Sequence, residues 1–128
     1  MIIKFFHGEK ALCAIKKLNI FDIVIEQWYG DKGPTCYILC DSNNKPLSFA
    51  LLSKMDFDPL NKHSNPKTLN YIYTLMGHRG KGYATMLIEH VKERNHFSTF
   101  CSNKASEKLF TKCNCINYGE MYGNTMYR

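Results

Sequence analysis

Acidic side chains are scarce in this 128-residue chain: 11, against 17 lysines and arginines, for a formal net charge of +6. From Pro59 to Thr85 there is no aspartate or glutamate at all. Such a balance favours acidic ligands in general, whether phosphates, nucleic acid or acidic proteins. The lysines are dispersed, however, with no arginine-rich run and no zinc-finger spacing. A nucleic-acid partner would therefore rest on charge alone and is not expected. No apolar run approaches the roughly 20 residues of a membrane span, so no membrane partner is expected either. The apolar start Met1–Phe6 gives way at once to the polar His7–Lys10, which argues against a secretory signal and makes the cytoplasm, or the nucleus, the default location. The six cysteines do not read as a disulfide scaffold, since the chain lacks its loop-dense character. Nor do they read as a zinc site, since Cys113-x-Cys115, with His90, His96 and Cys101 upstream, lacks the paired C-x2–4-C spacing of structural sites. They read as free thiols packed as small hydrophobes, with no metal implied. Repeats, low-complexity segments and linkers are absent too, and the length suits one domain over residues 1–128.

What is present is a globular composition, 45% hydrophobic and 13% aromatic. Met1–Phe6 predicts a short strand. Ala11, Ala14, Ile15 and Leu18 recur at helical spacing and predict an amphipathic helix over Gly8–Asn19. Phe21–Tyr29 alternates like a strand, with a short helix as the alternative. Thr35–Cys40 and Leu47–Ser53 flank the turn "DSNNKP" and predict a hairpin. Asp56–Lys67 reads as a loop and Thr68–Met76 as a strand. Gly80–Asn95 reads as a helix with Ala84, Leu87, Ile88 and Val91 as its apolar stripe. Phe97–Cys101 follows as a strand, then a helix capped by Ser102 or Asn103 and running to Cys113. Ile116–Met121 and Thr125–Arg128 close as two strands. This order indicates an α/β or α+β fold, a mixed central sheet with helices on both faces.

The stretch "GHRGKGYAT" (77–85) stands between the long strand and the helix after it. A helix start offers amide N–H groups without intrahelical partners, together with the positive end of the backbone dipole. Anions, phosphates above all, bind there. Gly80 and Gly82 let a phosphate approach the backbone, and Arg79 and Lys81 add charge. The turn is neither a Walker A loop, since Leu75 stands where its first glycine belongs, nor a dinucleotide fingerprint, which would need glycine at Thr85.

"YIYTLMGHRGKGYATMLIEHV" resembles motif A of the GNAT superfamily of acyl-CoA N-acyltransferases. Arg79, Gly82 and Ala84 fill the three defined positions of its [QR]-x-x-G-x-[GA] turn. Downstream, "NKASEKLFTKCNC" resembles motif B through Asn103, Leu109 and Lys112. The resemblance implies a GNAT-like N-acetyltransferase domain with acetyl-CoA as co-substrate and a primary amine of a protein or small molecule as acceptor. It implies that the strand before the turn splays from its neighbour and that backbone groups around Ile72, Tyr73 and Thr74 meet the pantetheine arm. Amides of Gly80, Lys81, Gly82, Tyr83, Ala84 and Thr85, beside Arg79, would then hold the pyrophosphate. Asn103, which also reads as a helix cap, and Phe110, which also reads as core, would line the thioester end.

Departures from the family pattern concern catalysis. Phe110 stands where many members carry a tyrosine acid, Ser106 replaces an alanine, and Asn114 and Cys115 replace Gly-Phe. No carboxylate begins the motif-A strand, and Ser98 occupies the other usual position. Asp56, Asp58, His63 and His78 remain as candidate bases and Tyr118 and Tyr122 as candidate acids, each reading first as an ordinary loop or strand residue; the catalytic residues are thus unassigned. Only Ile20–Gly33 is available for the acceptor wall, which is either open or completed by a second copy in a homodimer. The alternative to an enzyme is an impaired, acetyl-CoA-binding member that works through protein–protein interaction.

Overall fold

In the computed structural model, which describes residues 1–21, 23–56, 58, 60, 62, 64–121 and 123–128, seven strands form one sheet. They are β1 (Ile2–His7), β2 (Thr35–Cys40), β3 (Pro46–Lys54), β4 (Lys67–Thr74), β5 (Phe97–Cys101), β6 (Asn117–Met121) and β7 (Asn124–Tyr127), in the order β1-β2-β3-β4-β5-β7-β6. Pairing is antiparallel throughout except between β4 and β5, which are parallel. Every residue of β2 is buried, as are Leu47–Ser53 of β3. Their apolar residues run without alternation because both faces of the sheet are covered.

The cover comes from four helices, α1 (Glu9–Lys16), α2 (Ile23–Trp28), α3 (Tyr83–Arg94) and α4 (Lys104–Lys112). On one face Ala11 and Ile15 of α1, with Ile25 and Trp28 of α2, pack on Cys36, Ile38, Phe49 and Leu51. On the other, Leu87, Ile88 and Val91 of α3 and Phe110 of α4 pack on Leu39, Ala50, Leu52, Leu69 and Phe97. The mixed sheet with helices on both faces is the expected architecture.

Three boundaries depart from the sequence reading. Phe21–Tyr29 is not a strand: α2 occupies its centre, because Ile25 and Trp28, three apart, both seat on the sheet. The Trp28 indole N–H then donates to the Leu52 carbonyl at 2.8 Å. Helix α1 ends early, at Lys16, and the turn that follows it carries Asn19 in the left-handed region (φ 53°). Helix α3 begins at Tyr83 rather than Gly80, since Gly80 and Gly82 both hold positive φ (79° and 81°), which no right-handed helix contains. Among the described residues, no helix is long and apolar enough to cross a membrane.

Candidate functional site

Beyond Thr74 the chain makes a tight bend. Gly77, Gly80 and Gly82 all adopt positive φ, and a Cβ on any of them would meet no atom within 4 Å. The glycines therefore serve backbone conformation and leave the space in front of them open. Arg79 is pinned across the bend: Nε donates to the Thr74 carbonyl at 3.0 Å and the guanidinium lies 5.1 Å from the centre of the Tyr73 ring. Helix α3 has no side-chain cap and no acidic residue in its first turn, and its first backbone bond runs from Met86 N–H to Gly82. The amides before it therefore have no partner within the helix. They border a cleft of about 540 Å³ lined by Ile72, Tyr73, Thr74, Arg79, Gly80, Gly82, Tyr83, Ala84 and Thr85. His78 and, from α4, Ala105, Lys108, Leu109 and Lys112 complete the wall. Lys81 is exposed and is not part of that wall. Among the described residues every ionisable side chain lining the cleft is basic or phenolic, which favours an anion.

A second cavity, about 570 Å³, adjoins the first at Ile72. It exists because β4 and β5 pair only at Lys67↔Phe97 and Thr68↔Ser98. Thr99 Oγ1 still donates to the Leu69 carbonyl at 3.1 Å, but Thr99–Cys101 pair onward with β7 and the two parallel strands splay. The opening is lined by Leu69–Ile72, Thr99–Asn103, Ser106, Phe110, Gln27 and Asn124. Asn103 both borders it and caps α4, accepting from Ser106 N–H at 2.8 Å. Phe110 is both core and lining: it is 2% exposed and tilts against the Tyr127 ring 6.3 Å away. Cys101 also borders the space, but burial, with Glu107 and Cys115 adding, pushes its thiol up to about 11 and keeps it protonated at neutral pH.

The sequence model of the Acetyltransferase (GNAT) family matches residues 9–114. The chain belongs to the GNAT acetyltransferase family. Solved GNAT relatives share its fold. The aminoglycoside antibiotic 6'-N-acetyltransferase AAC(6')-IG from Acinetobacter haemolyticus superposes with a TM-score of 0.65 over 94% of each chain, at 19% identity. Mutant forms of the spermidine/spermine N-acetyltransferase SpeG from Vibrio cholerae give 0.60 over 99% of this chain and 92% of theirs, at 14% identity. AtaTR bound with AcCoA gives 0.60 over 98% and 92%, at 14% identity. At such identities the likeness is one of fold. No curated protein is significantly similar to the chain in sequence.

Within this GNAT fold the candidate acids and bases scatter. Asp56 sits in solvent, 3.8 Å from Lys32. Asp58 is buried and fully engaged: it accepts from the Leu60 and Lys62 amides (3.0 and 2.7 Å) and both its oxygens accept from the Arg128 guanidinium. Arg128 also donates through Nε to Ser98 Oγ at 3.1 Å, so Ser98 belongs to that anchor. His78 borders the first cleft, near the bend. Tyr118 carries the Lys62 ammonium over its ring at 5.7 Å and borders neither cavity. His63 and Tyr122 lie outside the described residues. The sequence reading missed Lys108, Gln27, Asn70 and Tyr71, and named Lys112 as a motif B match without placing it at the site. Lys108 and Lys112 follow Ala105 at i+3 and i+7 on the helix that Asn103 caps, a signal that was available; Gln27 reaches the site only through the packing of α2, and Asn70 only through the sheet's pairing.

Proposed function

We propose that this chain is an N-acetyltransferase that uses acetyl-CoA to acetylate a primary amine of a protein or small molecule. One observation carries the reading: the cleft at the glycine bend and the cavity in the splay between β4 and β5 lie side by side, with Ile72 in the wall of both. Their shape suits a ligand with a phosphate-rich end and a slender arm, and the space a Cβ on Gly80 or Gly82 would enter is open. Bound acetyl-CoA supplies the acetyl group as an activated thioester. The amides of Tyr83, Ala84 and Thr85 and the cations of Arg79, Lys108 and Lys112 hold phosphate charge. Lys81, outside the cleft wall, contributes only long-range attraction. Ile72, Tyr73 and Thr74, which β5 leaves uncovered, flank the arm. Asn103 and Phe110 bound the thioester end, where a buried apolar ring excludes water.

Calorimetry tests the reading. Wild type should bind acetyl-CoA saturably, and Gly82→Val should weaken binding about tenfold or more, because its side chain fills the cradle and its φ is unfavourable for a β-branched residue. A melting curve of the variant without ligand separates lost binding from lost fold. No heat at millimolar acetyl-CoA or CoA would overturn the proposal.

A second reading has its own observation: Phe110 offers no proton, and among the described residues no carboxylate lines either cavity. A coenzyme-binding protein that acts by associating with another protein would look the same. Thiol release over a broad amine panel separates the two, since saturable binding without turnover favours the second.

A further inference from the structure

We infer that Asn70 and Asp31 seat the acceptor amine in the splay cavity, Asp31 taking the proton that the ammonium form must lose. The inference rests on the acetyltransferase reading. Where β3 pairs with β4, Leu51 faces Tyr71 but Leu52 faces Leu69, so Asn70 is an extra, unopposed residue. Such a bulge re-aims a side chain and frees ladder groups. Asn70 borders the splay cavity, two residues from the point where β4 leaves β5. Its amide is oriented by two partners. Ser53 Oγ, buried, donates to Asn70 Oδ1 at 2.8 Å, which turns Nδ2 to donate to Asp31 Oδ2 at 3.1 Å.

Asp31 is held by its loop rather than by a charge. Its amide donates to the Trp28 carbonyl at 3.0 Å, and the next residue's carbonyl accepts from Lys54 N–H at 2.9 Å. Trp28 is itself fixed on Leu52, beside the bulge. An exposed carboxylate is thereby fixed one hydrogen bond from a cavity whose described lining holds no acid. An ammonium seated beside Asn70 reaches Asp31 directly or through one water. The proton moves from nitrogen to the Asp31 carboxylate and on to solvent. The neutral nitrogen then bonds the thioester carbonyl carbon as the C–S bond breaks, the electron pair leaves on sulfur as a thiolate, and the nitrogen's surplus proton passes to that thiolate to give the free thiol.

The test compares the most active amine of the panel with its O-alkylhydroxylamine analogue, in which oxygen replaces the adjacent methylene (hexylamine against O-pentylhydroxylamine among alkylamines). The analogue has the same shape but is unprotonated at neutral pH. Asp31→Asn should lower kcat/KM on the amine about 10²-fold, and on the analogue by less than about threefold, with acetyl-CoA affinity unchanged. Asp31→Glu should recover part of the loss, and Asn70→Ala should raise KM for both acceptors. Equal losses on amine and analogue, or no loss on either, would overturn the role of Asp31 while leaving the transferase reading intact. A wild type that acetylates nothing overturns the transferase reading, and the inference falls with it.

Discussion

Arg128 donates to both carboxylate oxygens of Asp58 and to Ser98, joining β5 and the loop after β3 to the residue that follows β7. The Asp58 side chain is 2% exposed and the Arg128 side chain 10%. In so dry a setting, breaking the pair costs more than the pair itself contributes, because one charge remains buried without its partner. Arg128→Leu should therefore destabilise by about 3–5 kcal/mol in urea titrations. Adding Asp58→Asn should recover part of that loss, because the uncompensated charge is gone; double-mutant analysis reads the coupling directly. Failure of the second change to recover stability would mean that the two residues act independently. Asp58 has a sequence context like that of Asp56, and nothing in the local pattern separates a buried anchor from a solvated loop acid. Their difference arises from Arg128, 70 positions away.

Elements differ in how much of them was legible. Strands β2 and β3 were readable because burial on both faces yields continuous apolar runs whose identity does not depend on register, and β4, mostly half-buried, through its aromatic and β-branched residues. Helix α2 was not, since six residues fit a period of 2.0 nearly as well as one of 3.6, and only the seat of Trp28 on Leu52 decides. At the site, the glycine bend was visible because its function is local: three positive φ values need three glycines. The bulge at Asn70 was invisible, being a property of a strand pair rather than of either strand, whereas the splay of β4 from β5 followed only from the family resemblance and not from the residues of either strand. Asn103 sits between these cases. Its cap on α4 was legible from residue type, and Asn103→Ala should cost about 1 kcal/mol of stability. Asn103→Ser should retain most of that stability, as serine caps comparably. If Asn103 also touches the coenzyme, Asn103→Ser will weaken acetyl-CoA binding although it preserves the fold. Unchanged affinity in the serine variant would confine Asn103 to capping.

For the whole molecule, titratable groups bound a pH window of stability from both sides. Burial, with the Arg94 guanidinium adding and Glu93 opposing, holds His90 below its ordinary value of 6.5. Its folded-state value is thus lower than its unfolded one. The stability it contributes is complete above about pH 6.5 and is lost as pH falls through the folded value. On the acidic side Asp41 adds to this. Hydrogen bonds from the Lys45 and Asn43 amides hold its carboxyl below the ordinary 3.8, so its contribution disappears at still lower pH. On the alkaline side the sign reverses. Burial pushes the Cys36 thiol from 9.0 up to about 12, so the stability it contributes is full below 9.0 and is lost as pH rises toward 12. Between about pH 8.5 and 10.5 that loss should be about 2 kcal/mol, since the unfolded chain releases a proton that the folded chain keeps. Cys36→Ala removes the buried thiol and should flatten the alkaline limb, leaving the acidic limb unchanged. His90→Gln should do the converse below about pH 6.5. Urea titrations of the three proteins at about pH 5, 8.5 and 10.5 measure both slopes. An alkaline limb as steep in Cys36→Ala as in wild type would assign the loss to other groups, the next candidate being Cys101, whose thiol is raised to about 11.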